Sequence, residues 1–204
     1  MIKIAISGRA RTGKNTLAEM ISDQVSGAII SDIRCKIVAV ADPIKRMVME
    51  MVPNADPECL YGQSELRSRP LPGLLKDEDG QPLTYRKLLT DLGKQGRKYN
   101  PDVWLNALVK NAEQNKHLKG YFVSDCRFPN EMQYLRDHGF YMIRIKRKNA
   151  PLIEDESETA QLSITDDFFN EIVDNDYCID TLRDKARSIY NHLNPSVSIK
   201  SALS

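Results

Sequence analysis

Short apolar runs alternate with longer amphipathic stretches along this chain. The first apolar run, Ile2–Ser7, predicts a short buried strand, and a small polar loop follows it. Leu17, Met20 and Ile21 then recur at helical spacing, which predicts a helix from Lys14 to about Val25. A strand, a glycine-containing loop and a helix in this order are the opening of an α/β unit.

The same alternation of strand and helix patterns continues along the chain. Further strands are predicted at Lys36–Ala41, Tyr121–Ser124, Phe140–Ile145 and Tyr177–Ile179. Further helices are predicted from Pro43, with Asp42 as the N-cap, and at 84–96, 101–115, 130–138 and 182–193. Strands that alternate with helices in this way predict a three-layer α/β fold, whose central parallel sheet is joined by right-handed crossovers.

Three stretches lack a clear period. Pro53–Pro82 is rich in proline, glycine and charge, and it predicts an irregular excursion from the fold. Lys146–Asp166 is polar and carries charges of both signs, so a lid is one interpretation of it. Pro195–Ser204 predicts a frayed tail.

Composition narrows the class of protein. The chain has 204 residues, 41% of them hydrophobic and 28% charged, which is ordinary globular composition. Its net charge of +1 indicates neither a nucleic-acid binder nor a membrane-surface binder. The four cysteines form no CxxC pair, which favours a reducing compartment. The N-terminal apolar run is too short for a signal-peptide core, and we expect a cytoplasmic protein (host cytoplasm if the chain is viral).

The strongest chemical signal is the loop between the first strand and the first helix. Gly8 to Lys14 fits the GxxxxGK part of the phosphate-loop pattern, in the strand-loop-helix context that the pattern requires. Gly8 and Gly13 let the backbone curl, so that the N–H groups of the loop, Thr12 included, point at phosphate oxygens. The helix N-terminus adds partial positive charge, and Lys14 can bridge the terminal phosphates of a nucleotide. A chance glycine turn is the alternative, which the context disfavours.

One position departs from the pattern. The residue after the lysine is Asn15, where a serine or threonine normally holds Mg²⁺ by its hydroxyl, and Thr16 comes one place later. Asn15 could offer its amide oxygen to the metal, and Thr16 could bond the α-phosphate. Arg9 and Arg11 are either phosphate ligands or solvated loop charges. We therefore predict ATP and Mg²⁺ as cofactors, with the metal held by Asn15 and by the carboxylate described next.

Asp125 and Arg127 end the third predicted strand, at the edge of the sheet where the phosphate loop also lies. An aspartate there commonly orients Mg²⁺, and an arginine commonly clamps a phosphate with two hydrogen bonds. An Asp–Arg pair that holds the turn before Pro129 is the structural alternative. We predict Lys14, Asp125 and Arg127 as the catalytic residues.

Other cations and aromatics are candidates for binding a second, anionic substrate. Lys45 follows the second predicted strand near a helix start, and Arg97 ends an amphipathic helix. Asp102 and Trp104 come shortly after and could contact a base or ribose, although a tryptophan at this position is also typical of a core. Arg147 follows the fourth strand, where a cation could close over ATP phosphates.

These residues together resemble the phage-type deoxynucleoside monophosphate kinases, a branch of the P-loop nucleoside monophosphate kinases. The segments that carry the resemblance are Gly8–Thr16, Ala41–Lys45, Leu88–Trp104, Asp125–Glu131 and Ser157-Glu158, with Val173–Asp176 and Leu182–Asp184 similar to the family's closing segment. The family tolerates a residue without a hydroxyl after the P-loop lysine, which accommodates Asn15.

The resemblance implies one P-loop kinase domain over residues 1–204. Its core would be 1–42, 120–145 and 172–194, its acceptor-binding insertion about 43–119, and its lid about 146–168. ATP·Mg²⁺ would be the donor and a (deoxy)nucleoside monophosphate the acceptor. By matching motif, Lys45, Arg97 and Arg127 would fall near the acceptor phosphate and Arg147 near the donor. The expected partners are small-molecule nucleotides, not nucleic acid or membrane, and a homodimer is compatible with the sequence.

Three other possibilities stay open at this point. Related kinases act on dephospho-coenzyme A or phosphomevalonate and share similar loops, so the motifs alone do not separate them. A nucleotide-binding switch, or an ATPase associated with DNA, would share the phosphate loop but would need no small acceptor. A nucleotide-binding module without catalysis would have no transferase activity to lose when Lys14 is replaced.

Overall fold

The computed structural model describes residues 1–26, 35–73, 75–151 and 159–194. The chain divides into two compact units, one made of Met1–Ala39 with Asn111–Ser204 and the other of Val40–Lys110. The first unit contains a β-sheet with its helices, and the second is built from helices and short irregular segments. The predicted boundaries of the insertion, at 43 and 119, and of the lid stay predictions.

Five strands from the described residues form one parallel sheet, in the order β2-β3-β1-β4-β5. The strands are β1 (Ile2–Ser7), β2 (Cys35–Val38), β3 (Gly120–Cys126), β4 (Tyr141–Lys146) and β5 (Glu171–Asp174). The predicted α/β class with a central parallel sheet is confirmed. Because β1 lies between β3 and β4, the chain leaves β1 where the strand order changes direction, and ligands bind at such a point in open parallel sheets.

Helices cover both faces of the sheet in the first unit. Helix α1 (Lys14–Ser26) packs against α7 (Ile179–Leu193), and both bury their apolar sides on one face of the sheet. Helix α6 (Pro129–Asp137) contacts β1 and β4 and buries Met132 and Leu135. Alternate residues of β1 enter the core shared with α1 and α7, as the period of two along a strand requires.

The pairing of β1 with β3 is irregular at the edge that carries the phosphate loop. Ala5 pairs with Val123 but Ser7 pairs with Cys126, so β3 has one residue more than β1 between these two pairs. A bulge of this kind bends a strand and changes where its side chains point. It lies just where β3 reaches Asp125.

The second unit has its own apolar core. Its helices are α2 (Asp42–Met51), α3 (Pro57–Tyr61), α4 (Tyr85–Tyr99) and most of α5 (Val103–Gln114), with a 3₁₀ turn at Ser64–Ser68. Tyr85 is fully buried in this core, and its hydroxyl accepts a hydrogen bond from the N–H of Asp56 at 2.7 Å. The core residues come from all along the unit: Val48, Val52, Ala55, Cys59, Leu60, Leu71 and Tyr85.

The predicted excursion at Pro53–Pro82 is more ordered than its composition indicates. It contains α3, whose N-cap Asp56 accepts from the N–H of Glu58, and it buries Leu60 and Leu71. Isolated bridges pair Pro70 with Thr84 and Lys76 with Pro82. Long-range packing of a few apolar side chains orders this segment. Its sequence has no local periodicity from which that order could be predicted.

Two local predictions are wrong. The last strand is Glu171–Asp174, not Tyr177–Ile179, because Tyr177 and Ile179 are exposed and Cys178 is the N-cap of α7. Asp42 is the first residue of α2 and does not cap it, because its carboxylate is bonded to Lys45. Within the described part of the chain, no helix has the length and apolarity needed to cross a membrane.

Candidate functional site

The glycine loop joins the central strand β1 to the N-terminus of α1. It leaves β1 between its two neighbours β3 and β4, at the carboxyl edge of the sheet. Both requirements of an anion site at a helix start are therefore met: backbone N–H groups at the first turn of a 13-residue helix, and a position at the switch point of the sheet.

The backbone of the loop is curled by three residues with positive φ. Gly8, Arg11 and Gly13 have φ of 156°, 60° and 99°. A Cβ on Gly8 would lie 2.4 Å from the carbonyl oxygen of Ile145 and 2.9 Å from the Thr12 hydroxyl, so only glycine fits there. The loop thus packs directly against the end of β4, and its curvature is built into the fold.

Lys14 lies over the loop that precedes it. Its ammonium donates hydrogen bonds to the carbonyl oxygens of Gly8 at 2.6 Å and Arg9 at 2.7 Å. The hydroxyl of Thr12, which is buried, also donates to the Arg9 carbonyl, at 2.8 Å. These contacts keep the charge of Lys14 at the loop, where an incoming polyphosphate can replace the carbonyls as its partner.

The loop after β5 contacts the phosphate loop from the side. Asn175 donates from its side-chain amide to the carbonyl oxygen of Thr12 at 2.9 Å. The sequence did not predict a role for Asn175 beyond its place in the closing segment. A contact across 163 positions of the chain leaves no periodic signal in a single sequence.

A cavity of about 550 Å³ lies beside the phosphate loop, within the first unit. Basic residues after β4 line it, among them Arg147, which is exposed; its contact with the donor phosphates stays a prediction. Its walls also include loop residues, carboxylates and one aromatic side chain: Gly8, Arg9, Thr12, Gln161, Asp166, Asp176 and Tyr177. Its size suits a small ligand.

Two arginines hold the segments on either side of residues 152–158. Arg9 donates to the carbonyl oxygens of Ala150 at 2.8 Å and Pro151 at 3.1 Å, so it is not merely a solvated loop charge. Arg144 donates to the carbonyl oxygen of Ile164 at 2.7 Å and to that of Gln161 at 3.2 Å. The predicted lid is therefore attached to the core at both described ends, and Ser157-Glu158 lies outside the described residues.

An ion-pair group completes this attachment. Asp166 bonds to Arg144 at 2.8 Å and also pairs with Lys146. Hydrogen bonds from Lys146 and Arg144 lower the pKa of Asp166 below its ordinary value of 3.8. The carboxylate is about half exposed, so solvent screens the group and its contribution to stability is modest.

This pKa shift predicts how stability depends on pH. Asp166 has a lower pKa when folded, so its stabilisation is present above pH 3.8 and is lost as the pH falls through the folded pKa. We expect Asp166→Asn to lower the free energy of unfolding at pH 7 by at most about 1 kcal/mol. The difference in free energy of unfolding between this variant and wild type should disappear in acid. Urea unfolding of both proteins across this pH range measures the difference. Asp167→Asn, next along the chain, is the control, and equal gaps at all pH values would contradict the prediction.

Asp125 and Arg127 lie at the end of β3, as predicted. Both N–H groups at the start of the following turn, those of Arg127 and Phe128, donate to the carboxylate of Glu131 at 2.9 and 3.1 Å. Glu131 thereby fixes the turn, so holding it does not depend on an Asp–Arg pair alone. Burial raises the pKa of the Cys126 thiol well above its usual value, which makes this neighbour an inert core residue rather than a nucleophile.

The residues proposed for Mg²⁺ fit its chemistry in part. Mg²⁺ prefers oxygen ligands, keeps several waters, and needs only one or two protein groups when a polyphosphate supplies the rest. Asp125 offers a half-buried carboxylate at the edge of the sheet that carries the phosphate loop. Asn15 offers an exposed amide in the first turn of α1. Among the described residues no group of three or more His, Cys, Asp or Glu could hold a metal ion.

Four of the five residues predicted for the acceptor, Lys45, Arg97, Asp102 and Trp104, lie in the second unit, and Arg127 lies in the first. Lys45 is largely buried in α2, where its ammonium bonds Asp42 at 2.8 Å and lies 5.1 Å from the ring centre of Tyr61. Burial, followed by the charge of Asp42, raises the pKa of Tyr61. Lys45 is therefore a positioned cation and not a freely solvated one, while Arg97 is exposed in the last turn of α4.

Trp104 is a core residue of the second unit. It is only 8% exposed, and its indole N–H donates to the carbonyl oxygen of Gly93 at 3.1 Å. Its ring packs so closely on α4 that a Cβ at Gly96 would lie 2.3 Å from it. This placement favours the core alternative over the predicted contact with a base. Asp102 is half-buried just before α5 and accepts from the N–H of Asn106 through its carbonyl.

Comparison with known proteins adds little to this description. Neither the protein-family models nor the curated proteins contain a match to the chain. Among solved structures, the chain is similar to a sugar kinase from Janibacter sp. HTCC2649, solved without ligand, at 15% identity and a TM-score of 0.48, over 97% of this chain and 98% of that one. A likeness at this level establishes neither activity nor substrate.

Proposed function

We propose that this protein is an ATP-dependent kinase that transfers the γ-phosphoryl group to a (deoxy)nucleoside monophosphate. One observation carries the proposal: the Gly8–Lys14 loop is curled against the end of β4 at the switch point of a parallel sheet, with the ammonium of Lys14 held at the loop. This arrangement suits a polyphosphate tail, and the resemblance to nucleoside monophosphate kinases supplies the acceptor class.

The chain's own groups would act mainly by position and charge. Loop N–H groups and the start of α1 would hold the β- and γ-phosphates, and Lys14 would stay with the γ-phosphoryl as its charge develops. Mg²⁺, arriving with ATP and held by Asp125 and Asn15, would neutralise phosphate charge. The residues around Arg147 border the cavity beside the loop and would contact the donor.

The acceptor side needs no general base. A phosphate monoester oxygen is already anionic at neutral pH, so in-line attack requires alignment and charge neutralisation rather than proton removal. The resemblance assigns Lys45, Arg97 and Arg127 to this phosphate. The buried ion pair of Lys45 with Asp42 supports a fixed cation over a mobile surface lysine.

A coupled ADP-release assay tests the proposed reaction. Wild-type protein is incubated with ATP·Mg²⁺ and, separately, with each common NMP and dNMP, with dephospho-coenzyme A and with phosphomevalonate. We expect release that depends on one or a few nucleoside monophosphates. ADP release that depends on another acceptor instead would show that the protein is a P-loop kinase for that acceptor. Release without acceptor, or stimulated by DNA, would favour an ATPase, and no turnover with any acceptor would contradict the proposal.

Replacing Arg127 tests the acceptor assignment. We expect Arg127→Ala to raise the acceptor KM and lower kcat, each by roughly tenfold, because a charge-assisted clamp on the phosphate is lost. The KM for ATP should change little. Steady-state kinetics with each substrate varied in turn measure the three parameters. Arg136→Ala, in the last turn of α6, is the matched control. A fall in melting temperature with unchanged kinetics would instead assign Arg127 to holding the turn.

A further inference from the structure

Asn175 is the first residue after β5, and it is bonded in two directions. Its backbone N–H donates to the carbonyl oxygen of Lys146 at 2.8 Å, which ties it to the end of β4. Its side-chain amide donates to the carbonyl oxygen of Thr12 at 2.9 Å. One residue therefore connects the ends of two core strands to the middle of the phosphate loop.

The hydrogen bond to Thr12 sets the direction of one peptide group. The peptide between Thr12 and Gly13 is planar and trans, so its C=O and its N–H point in opposite directions. When the Thr12 carbonyl is held by Asn175, the N–H of Gly13 is directed away from Asn175. In a phosphate loop the N–H groups, not the carbonyls, must face the anion.

The close approach of Asn175 also depends on Gly13. A Cβ on Gly13 would lie 2.6 Å from the side-chain nitrogen of Asn175, and Gly13 has a φ of 99°. The glycine of the GK pair is therefore needed both for its backbone conformation and for the space that the amide occupies. Asn175 and Gly13 work as a pair.

We infer that Asn175 is a positioning residue that orients the Thr12–Gly13 peptide so that the N–H of Gly13 faces the donor phosphates. The inference rests on the proposed function, because it assumes that a nucleotide polyphosphate fills the loop. Asn175 acts on the donor through the backbone, so its loss should weaken binding of the phosphate tail and leave the acceptor untouched.

Two variants separate the hydrogen bond from packing. Asn175→Ala removes the side chain, and Asn175→Asp keeps its shape but replaces the N–H donor by a carboxylate that repels the Thr12 carbonyl. Calorimetric titration with ADP, and with inorganic pyrophosphate as a probe of the phosphate tail alone, measures the effect. We expect Asn175→Ala to bind both about tenfold more weakly, and Asn175→Asp more weakly still.

Asn170 provides the matched control. It lies immediately before β5, at the opposite end of the same strand, and its side-chain oxygen accepts from the N–H of Met142 at 2.8 Å. Asn170→Ala removes a comparable hydrogen bond between the ends of the same two strands, far from the loop. We expect it to lower the melting temperature while ADP and pyrophosphate affinities stay at the wild-type value.

The outcomes distinguish this inference from the proposed function. If wild-type protein binds neither ADP nor pyrophosphate, the proposed function fails. If wild type binds both and either Asn175 variant binds equally well, the positioning role is overturned and the proposed function stands. A rise in the KM for ATP at constant acceptor KM supports the role. Loss of affinity in Asn170→Ala as large as in Asn175→Ala would reduce the effect to general destabilisation and overturn the inference.

Discussion

Replacing Lys14 by alanine is expected to lower the rate of phosphoryl transfer about 10³-fold while the fold persists. The ammonium is held at the carbonyl oxygens of Gly8 and Arg9, and in the proposed reaction it would stay with the γ-phosphoryl group as charge develops in the transition state. Its side chain is not part of the apolar core of α1, whose buried residues are Leu17, Ala18, Ile21 and Val25. Single-turnover kinetics with saturating ATP measure the chemical step directly.

The control for this variant is Lys3→Ala, at the other end of the unit. Lys3 lies in β1, and its ammonium donates to the carbonyl oxygen of His138 at 3.2 Å. The substitution removes one positive charge and one lysine-to-carbonyl hydrogen bond without touching the loop. We expect it to leave turnover unchanged. Transfer by Lys14→Ala at the wild-type rate would contradict the proposed mechanism.

Replacing Gly8 by alanine is expected to lower the free energy of unfolding by about 3 kcal/mol and to abolish nucleotide binding. The new Cβ would lie 2.4 Å from a backbone oxygen, that of Ile145, and backbone cannot rotate aside as a flexible side chain can. Either the loop or the end of β4 must then move. Thermal unfolding should show a fall in melting temperature of roughly 6–12 °C.

Gly139→Ala controls for the backbone strain alone. Gly139 has a φ of 78°, but a Cβ there would meet nothing within 4 Å. We expect this variant to have a free energy of unfolding about 1 kcal/mol lower than wild type and to bind ADP normally. If Gly8→Ala is no less stable than Gly139→Ala and still binds ADP, the close packing of the loop on β4 is not important for the site.

Local patterns predicted most elements of both units, and the exceptions are the last strand of the first unit and the Pro53–Pro82 segment of the second. The strand-loop-helix opening, the strands at Tyr121 and Phe140, and the helix after Pro129 all have clear apolar periods, and the structure places elements there. The strand predicted at Tyr177 failed because three apolar residues in a row also suit the exposed approach to a helix. Burial, which separates the two, depends on the rest of the chain.

The candidate site divides in the same way. The position of Lys14 and the glycines follows from a motif seven residues long, because curling a backbone around an anion is a local requirement. The roles of Arg9, Arg144 and Asn175 depend on partners more than a hundred positions away or on the carbonyls of an irregular segment. Trp104 is the opposite case. An indole ring could contact a base, but the packing of this ring on Gly93 and Gly96 makes Trp104 a core residue.

Taken by itself, the sequence determined the class of fold, the order of strand, loop and helix at the N-terminus, and the two glycines that help to curl the phosphate loop. These are short-range properties, set by side-chain period and by the φ values open to glycine. Only the tertiary structure decided the strand order around β1, the packing of Gly8 on β4 and the bond from Asn175 to Thr12. Those depend on which distant segments meet, because parallel strands pair across long crossovers that one local pattern does not encode.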